Sequence, residues 1–473
     1  MAVLSSAGRT EADTIYALSS GAGIAGVAVI RISGPGAAQV LETMTPGPRP
    51  PPRRAQLSMI HRPSSEEPLD QGLLLWFPAP NSFTGEDLVE LQMHGGRAVI
   101  AAVLEALGAL PGFRLASPGE FTRRAFDADK LDLAEVEGLA DLVNAETEAQ
   151  RRQALRQMRG FLSVRCGASR AGLLAALALL EAEIDFAEDE VDVPSGTVPK
   201  IREVVAIALE DIRSLLAEAG RGERLREGLQ VAIIGAPNVG KSSLLNALAQ
   251  RDVAIVSDLA GTTRDLVEVH LDLAGLPVTL ADTAGLREIE ESRESAAIEA
   301  EGMRRTRMRA EEADLTLAVF DASRWPAVEP DVAALVDADS LVIVNKADLW
   351  AGDPGELAAD LSEALAEPLR AAGNRPLPVS ALTGEGLSGL LSALQEAAEA
   401  RLEGGESALI TRARHREALT DCCEALNRVQ GTEDVELIAE DLRLALRALG
   451  RVVGEVDVED LLDVIFREFC IGK

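Results

Sequence analysis

Gln230-Val-Ala-Ile-Ile-Gly235-Ala-Pro-Asn-Val-Gly240-Lys241-Ser242 decides the reading of this chain. Its first five residues have a buried-strand pattern, apolar from Val231 to Ile234, and Ser243 to Gln250 beyond it has helical spacing. Between the two lies GxxxxGKS, a glycine-rich loop in a strand–loop–helix context. Such a loop lets backbone N–H groups wrap a phosphate, with Lys241 reaching the β- and γ-oxygens and Ser242 ligating Mg²⁺. The helix N-terminus adds the positive end of its dipole. The flanking elements disfavour a chance match in an ordinary loop.

Working outward, Ala281-Asp282-Thr283-Ala284-Gly285 follows the apolar run from Pro277 to Leu280. Asp282 there suits the Mg²⁺ shell, and the Gly285 N–H can sense a γ-phosphate. Asn345-Lys346-Ala347-Asp348 follows Leu341-Val-Ile-Val344. A carboxylate only accepts hydrogen bonds, so Asp348 suits the imino and amino donors of guanine, and the expected nucleotide is GTP rather than ATP. Ser380-Ala381-Leu382 lies where a loop covering the base belongs. Ser257-Asp258-Leu259-Ala260-Gly261-Thr262-Thr263-Arg264-Asp265 sits in the switch I position, with Thr263 expected to complete the Mg²⁺ shell. Each short motif is weak alone; five in this order specify a GTPase domain. Val239, Gly240 and Ser243 complete the expected phosphate contacts.

Leu286 follows DTAG, where Ras-like GTPases place a water-positioning glutamine. Leucine cannot orient water, so hydrolysis must be arranged differently. The amide oxygen of Asn238 could ligate a monovalent cation beside the phosphates and supply the charge of an arginine finger. The acidic run contains Glu288, Glu290, Glu291, Glu294 and Glu299, and spacing alone does not choose among them as the residue that holds the attacking water.

The chain has 473 residues, too many for one ordinary core, and the 47% apolar content excludes disorder along its whole length. Its 46 Lys+Arg against 77 Asp+Glu leave a net charge of −31, whose far field repels nucleic acid and anionic membranes; RNA contact must be local or assisted. The four cysteines, Cys166, Cys422, Cys423 and Cys470, form no CxxC pair, which argues against a disulfide framework or zinc site. The N-terminal stretch lacks a signal-type apolar core, and the apolar run Ala171 to Leu180 is too short to span a bilayer. A soluble cytoplasmic setting is expected. Residues 1–128 read as mixed α/β, with strands at Gly26 to Ile32, Leu73 to Phe77 and Asp87 to Met93 and a helix at Val99 to Leu110. Residues 129–222 and 399–473 read as two parts of one helical domain, with residues 220–228 as a linker into an α/β unit, 223–398, inserted between them. The arginines at 151, 152 and 156 and at 412, 414 and 416 are candidate RNA contacts, although solvated helix faces explain them better.

The chain resembles the MnmE/TrmE family of tRNA-uridine-modifying GTPases over essentially its whole length. The resemblance rests on Asp13-Thr-Ile15, Val29-Ile-Arg31-Ile-Ser-Gly-Pro35, Asn81-Ser-Phe-Thr-Gly-Glu-Asp87, Glu90-Leu-Gln92 and His94-Gly-Gly96. It continues through Pro118-Gly-Glu-Phe121, Arg124-Ala-Phe126, Asp129-Lys130-Leu-Asp-Leu133, the GTPase motifs and Phe469-Cys470-Ile-Gly-Lys473. It implies an N-terminal folate-binding domain that also dimerises the chain, with Arg31, Glu90, Lys130 and Lys473 contacting a 5-formyl-tetrahydrofolate. It implies K⁺ held by Asn238 and by groups from Ser257, Leu259 and Thr262, G domains that pair across their nucleotide faces, and Glu294 as the water-activating residue beside Lys241. It further implies an FAD-containing, NADH-using partner, MnmG/GidA. With that partner the family installs a carboxymethylaminomethyl or aminomethyl group at carbon 5 of the wobble uridine of certain tRNAs. Cys470 corresponds to a possible catalytic cysteine. One departure stands out: after Ala17 the family reads Thr-Pro-Pro-Gly-Arg-Gly-Gly, whereas this chain has Ser19-Ser-Gly-Ala-Gly-Ile-Ala25. The competing class is a ribosome-assembly GTPase that binds rRNA without modifying it, but no GxxG loop in KH context and no basic tail accompany the G motifs. A membrane-transport GTPase is disfavoured by the lack of a spanning segment.

Overall fold

Alternating apolar and polar residues in the N-terminal third build a six-stranded sheet: β1 (Thr14–Leu18), β2 (Ala25–Ser33), β3 (Gln56–His61), β4 (Pro68–Phe77), β5 (Leu88–Gly95) and β6 (Phe113–Leu115). The strand order is β3-β4-β5-β2-β1-β6, antiparallel except for the β1–β6 pair. The computed structural model describes residues 13–21, 23–186, 197–255, 268–282, 304, 307–325, 327–350, 369–370, 373, 375–456, 459–467, 469 and 471–472. They divide into two compact units: residues 1–140, 158–167 and 447–473 in one, and 141–157 and 168–446 in the other.

In the first unit, Ile30, Ile32, Leu74, Trp76, Val89, Leu91 and Met93 form the core face of the sheet, joined by residues of helices α1 (Ala37–Thr43) and α2 (Arg97–Gly108). The period of two puts Arg31 on the other face, and it pairs in register with Glu90. Strands β1, β3 and β6 escape a sequence reading because they are short, at five, six and three residues. Helix α3 (Glu120–Asp127) follows Gly119. Helix α4 (Leu133–Asn144) contributes Leu133, Val136 and Ala140 to a small core with Leu462, Ile465, Phe466 and Phe469 from the C-terminal end of the chain.

An ion network ties α3 to the sheet: Arg124 bonds Asp13, Glu86 and Glu120, and Arg114 bonds Asp13 and Glu120. Burial pushes the carboxyls of Asp13 and Glu120 up, but their arginine bonds outweigh it and hold both below the usual range. Carboxylates depressed in the folded state stabilise it above their unfolded pKa and lose that stability as pH falls through the folded value. Thermal melts are therefore expected to drop steeply below about pH 4, with a shallower pH slope in Arg124→Met; equal slopes would refute the assignment.

The second unit contains another six-stranded sheet, β7 (Leu229–Ile234), β8 (Glu268–Leu273), β9 (Leu276–Asp282), β10 (Leu315–Asp321), β11 (Leu341–Asn345) and β12 (Pro376–Pro378), in the order β12-β11-β10-β7-β9-β8. All pairs are parallel except β8–β9. Parallel strands buried on both faces account for continuous apolar runs such as Val231–Ile234. The helical part includes most of α5 (Glu148–Met158), α6 (Phe161–Phe186) from Ala168 onward, and α7 (Thr197–Glu227). Residues 220–227 continue α7 rather than forming the expected linker. Gly222 is packed there: a Cβ would lie 2.1 Å from the Ile410 carbonyl oxygen, so the glycine marks a close helix contact rather than a hinge. By length and composition the helical stretch within Glu148–Ile184 reaches the range of a membrane span, against the sequence expectation. Its buried positions Leu162, Cys166, Leu173, Ala176, Leu177 and Leu180 recur at helical intervals, as in a helix with one face in a protein core.

Candidate active site

The turn between β7 and α8 (Lys241–Ala249) is where the phosphate-binding motif folds. Asn238 has φ 66° and Gly240 φ 96°, so the loop curls through two left-handed residues before the helix begins. At Gly240 only glycine fits: a Cβ would stand 2.4 Å from Asn345 Nδ2. Lys241, 6% exposed, donates to the carbonyls of Gly235 (2.9 Å) and Ala236 (3.1 Å), which holds its ammonium over the loop. Ser242 Oγ donates to Asp282 Oδ2 at 2.7 Å. Asp282 ends β9 as the register partner of Ile233 on β7, and the loop that follows β7 brings Ser242 back to it in the first turn of α8. Two adjacent oxygen donors suit a hard divalent cation, so these residues fit Mg²⁺.

The base-recognition motifs converge on the same loop. Asn345, 1% exposed, donates to the Val239 carbonyl at 2.9 Å and accepts from the Ala381 N–H at 3.1 Å. It therefore ties the phosphate loop to the Ser380–Leu382 turn. Lys346 Nζ reaches the Asn238 carbonyl at 2.8 Å. The buried Ser380 hydroxyl donates to Asp348 Oδ1 at 2.6 Å and orients a carboxylate that is otherwise exposed. Ala347 lies in the short 3-10 turn after Lys346, its N–H bonded to the Val379 carbonyl. Asn238 and Ser243 are exposed on the loop and the first turn of α8.

Among the remaining expected residues, Ser257, Asp258, Leu259, Ala260, Gly261, Thr262, Thr263, Thr283, Ala284, Gly285, Glu294, Cys470 and Lys473 lie outside the described residues. In the N-terminal unit, Arg31 donates to Glu90 Oε1 through Nη2 (3.0 Å) and Nε (3.2 Å). Its guanidinium also lies over the rings of Phe83 (5.5 Å) and Phe121 (5.8 Å). Lys130 is exposed, its stem beside Gly85. The C-terminal end of the chain runs to the same unit. Ile471 bridges Pro118, and Ser19 Oγ donates to the Gly472 carbonyl at 2.8 Å. A Cβ on Gly472, φ 102°, would lie 2.2 Å from the Leu18 carbonyl oxygen, so the glycine permits this close approach. The departure at Ser19-Ser20 thus has structural consequences, since Ser20 Oγ also accepts from the Val29 N–H at 3.1 Å. Sequence reading did not find the tail contact, because its partners are 453 residues apart.

The arginine clusters are largely committed within the protein. Arg151 and Arg152 pair with Glu148, Arg412 with Asp141 and Arg416 with Glu223. Arg151, Arg152 and Arg416 are half-exposed, as solvated helix faces are, whereas the Arg412 side chain is only 12% exposed.

This parallel sheet, its glycine-bent loop and the converging GTPase motifs define a P-loop GTPase, which binds GTP with Mg²⁺. Family models described as the GTP-binding protein TrmE N-terminus and the MnmE helical domain match residues 14–130 and 133–470. The tRNA modification GTPase MnmE of Parvibaculum lavamentivorans is 52% identical over 471 residues, covering 98% of this chain and all of the relative. The protein of the same name from Rhodopseudomonas palustris is 52% identical over 465 residues, covering 97% and 99% of the two chains. A solved structure of Aquifex aeolicus Era with GDP and aluminium fluoride aligns with 36% of this chain and 56% of its own, at 29% identity and a TM-score of 0.27. The chain belongs to the MnmE family.

Proposed function

We propose that this chain is a potassium-activated GTPase whose cycle drives modification of the wobble uridine of certain tRNAs, acting as a cytoplasmic homodimer with an FAD/NADH-dependent MnmG/GidA-type partner. The observation that carries the reading is the coexistence, in one chain, of the GTPase loop with an N-terminal unit on which the C-terminal end of the chain is seated. A G domain acting only as a switch has no need of that second unit. The relatives' name, tRNA modification GTPase, supports the same conclusion.

In this reading Ser242, Thr263 and Asp282 serve Mg²⁺, and Asn238 with Ser257, Leu259 and Thr262 holds K⁺. The exposed Asn238 amide on a strained, pinned turn is compatible with that role. K⁺ supplies positive charge near the β- and γ-phosphates, and Glu294 orients the water. Arg31, Glu90, Lys130 and Lys473 serve a tetrahydrofolate; the paired and largely buried Arg31–Glu90, on the sheet face opposite the core of α1 and α2, offers both a cation and a carboxylate. Folate supplies one-carbon chemistry when bound. Leu57 and Leu73, paired across β3–β4 and 63% and 38% exposed, form an apolar patch on this sheet face that supports a dimer interface. The domains are 1–128, 129–222 with 399–473, and 223–398.

Nucleoside analysis of tRNA from a deletion strain tests the function: loss of the carboxymethylaminomethyl group is expected, whereas unchanged wobble uridines favour the ribosome-assembly switch. Steady-state GTPase rates are expected to be at least about tenfold higher in KCl than in NaCl if the cation supplies finger-like charge; equal rates defeat the potassium assignment. Asp348→Asn is expected to weaken GTP binding about 10²-fold or more, because a charged acceptor of two guanine donors becomes an amide with one acceptor oxygen and a donor opposed to the base. Competition binding with GTP and ATP checks this, and unchanged discrimination refutes the base assignment.

A further inference from the structure

We propose that Asp321, which belongs to none of the nucleotide-binding motifs, is a positioning residue of this site: it holds the Lys346 ammonium against the phosphate loop and thereby fixes the turn that carries Asn238. Asp321 ends β10 and is the register partner of Asn345 on β11. Its two carboxylate oxygens have separate tasks. Oδ1 accepts from the Ser323 N–H (2.9 Å) and hydroxyl (2.7 Å), and Oδ2 accepts from Lys346 Nζ at 2.7 Å. The Asp321 side chain is only 11% exposed. Burial pushes its carboxyl up, and the bonds from Lys346 and Ser323 outweigh this and keep it below the ordinary carboxylate range.

A lysine is a point charge on a flexible four-carbon stem, so a single contact at its tip defines its position poorly. Here Nζ is held from two sides, by Asp321 and by the Asn238 carbonyl. The second contact matters because both Asn238 (φ 66°) and Lys346 (φ 62°) are non-glycine residues in left-handed conformations. Such conformations are unfavourable and persist where surrounding bonds over-determine them. The chain Ser323–Asp321–Lys346–Asn238 provides those bonds. Asn345 secures only the neighbouring Val239 carbonyl. Without Asp321 the Lys346 tip loses its anionic partner, and the Asn238 turn loses a fixed donor.

Two consequences follow, the second resting on the reading of Asn238 as a K⁺ ligand. Guanine nucleotide affinity falls, because the loop and the base motif are no longer pinned together. The K⁺ response weakens, because the residue that would hold the ion is less well placed. The test uses the full-length protein with Asp321→Ala and Asp321→Asn, the latter keeping one of the two acceptor oxygens at the same reach. Affinity for a fluorescent GDP analogue is expected to fall about tenfold in Asp321→Ala, the loss of one charge-assisted bond, and by a smaller factor in Asp321→Asn, whose single amide oxygen can serve Lys346 or Ser323 but not both. The K⁺ concentration for half-maximal GTPase is expected to rise severalfold in the alanine variant. In a Lys346→Met background the Asp321→Ala change is expected to add no further loss of GDP affinity. A folded Asp321→Ala protein with a lower melting point but wild-type GDP affinity overturns the proposal, as does a full additional loss in the Lys346→Met background. If the wild-type rate is equal in KCl and NaCl, the potassium reading fails, while a tenfold GDP effect still supports the positioning role. Should Asp321→Ala not fold, Asp321→Ser is read in the same assays, since serine is too short to reach Lys346.

Discussion

Lys241→Ala is expected to abolish GTP turnover in practical terms, lowering kcat/KM by about 10³-fold or more through loss of preorganised charge at the transferring phosphoryl group. In the structure the Lys241 ammonium is satisfied by the carbonyls of Gly235 and Ala236, within the loop that would surround the phosphates. Bound GTP offers oxygens that carry full negative charge, which are stronger partners for an ammonium than carbonyls are. The lysine thus contributes both to binding and, more strongly, to the charge that develops during transfer. Steady-state GTPase assays and titration with a fluorescent GDP analogue measure the two parts. A circular dichroism melt shows whether the fold persists, because Lys241 is buried and its removal leaves two carbonyls without their partner. A folded variant with turnover within tenfold of wild type would remove Lys241 from the mechanism. Lys241→Arg is expected to fail as well, since a planar guanidinium does not fit a position shaped for a point charge.

The GTPase site was legible in sequence because its chemistry is carried by short motifs whose geometry is local. Asn238, Gly240, Lys241 and Ser242 share one strand–loop–helix turn, and parallel register with β7 puts the end of β9 beside that turn, where Asp282 meets Ser242. What the sequence concealed were contacts between residues far apart in the chain. Asp321 looks like an ordinary strand-end aspartate until β10 and β11 are seen side by side. The seating of Gly472 beside Leu18 joins the two ends of the chain, and no period or motif encodes it. Boundaries were also hard to read where composition misled. Residues 220–227 carry glycine and alternating charges, the features of a linker, yet the small side of α7 at Gly222 is what lets the Ile410 backbone approach. Strands β1 and β3 were missed because neighbouring strands, rather than a long apolar run, supply their stability.

Glu294→Ala is expected to slow GTP hydrolysis about 10²- to 10³-fold, the usual range for removing a group that orients or deprotonates a nucleophile, while leaving GTP affinity within about threefold of wild type, since uniform binding is untouched. The separation from Lys241→Ala lies in the second half of that statement. Among the described residues, the nearby carboxylates already have work to do: Asp282 accepts from Ser242, Asp348 accepts from Ser380, and Asp321 is held by Lys346 and Ser323. Leu286 follows the DTAG motif, and its side chain has no polar atom with which to hold a water. On the proposed reading the water is held by the acidic run beyond it, and the family resemblance points to Glu294 among the five glutamates there. Single-turnover hydrolysis in KCl measures the chemical step, and equilibrium titration with a non-hydrolysable GTP analogue measures binding. Glu294→Gln separates the two roles of the side chain. An amide can still hold a water through its oxygen but is a poor base, so partial recovery over alanine indicates orientation and none indicates proton removal. A large loss of nucleotide binding in Glu294→Ala contradicts the assignment, because a residue that acts only on the attacking water has no contact to lose in the ground state. Hydrolysis at the wild-type rate would instead move the task to Glu288, Glu290, Glu291 or Glu299, and the same pair of measurements on each variant would identify which one takes it.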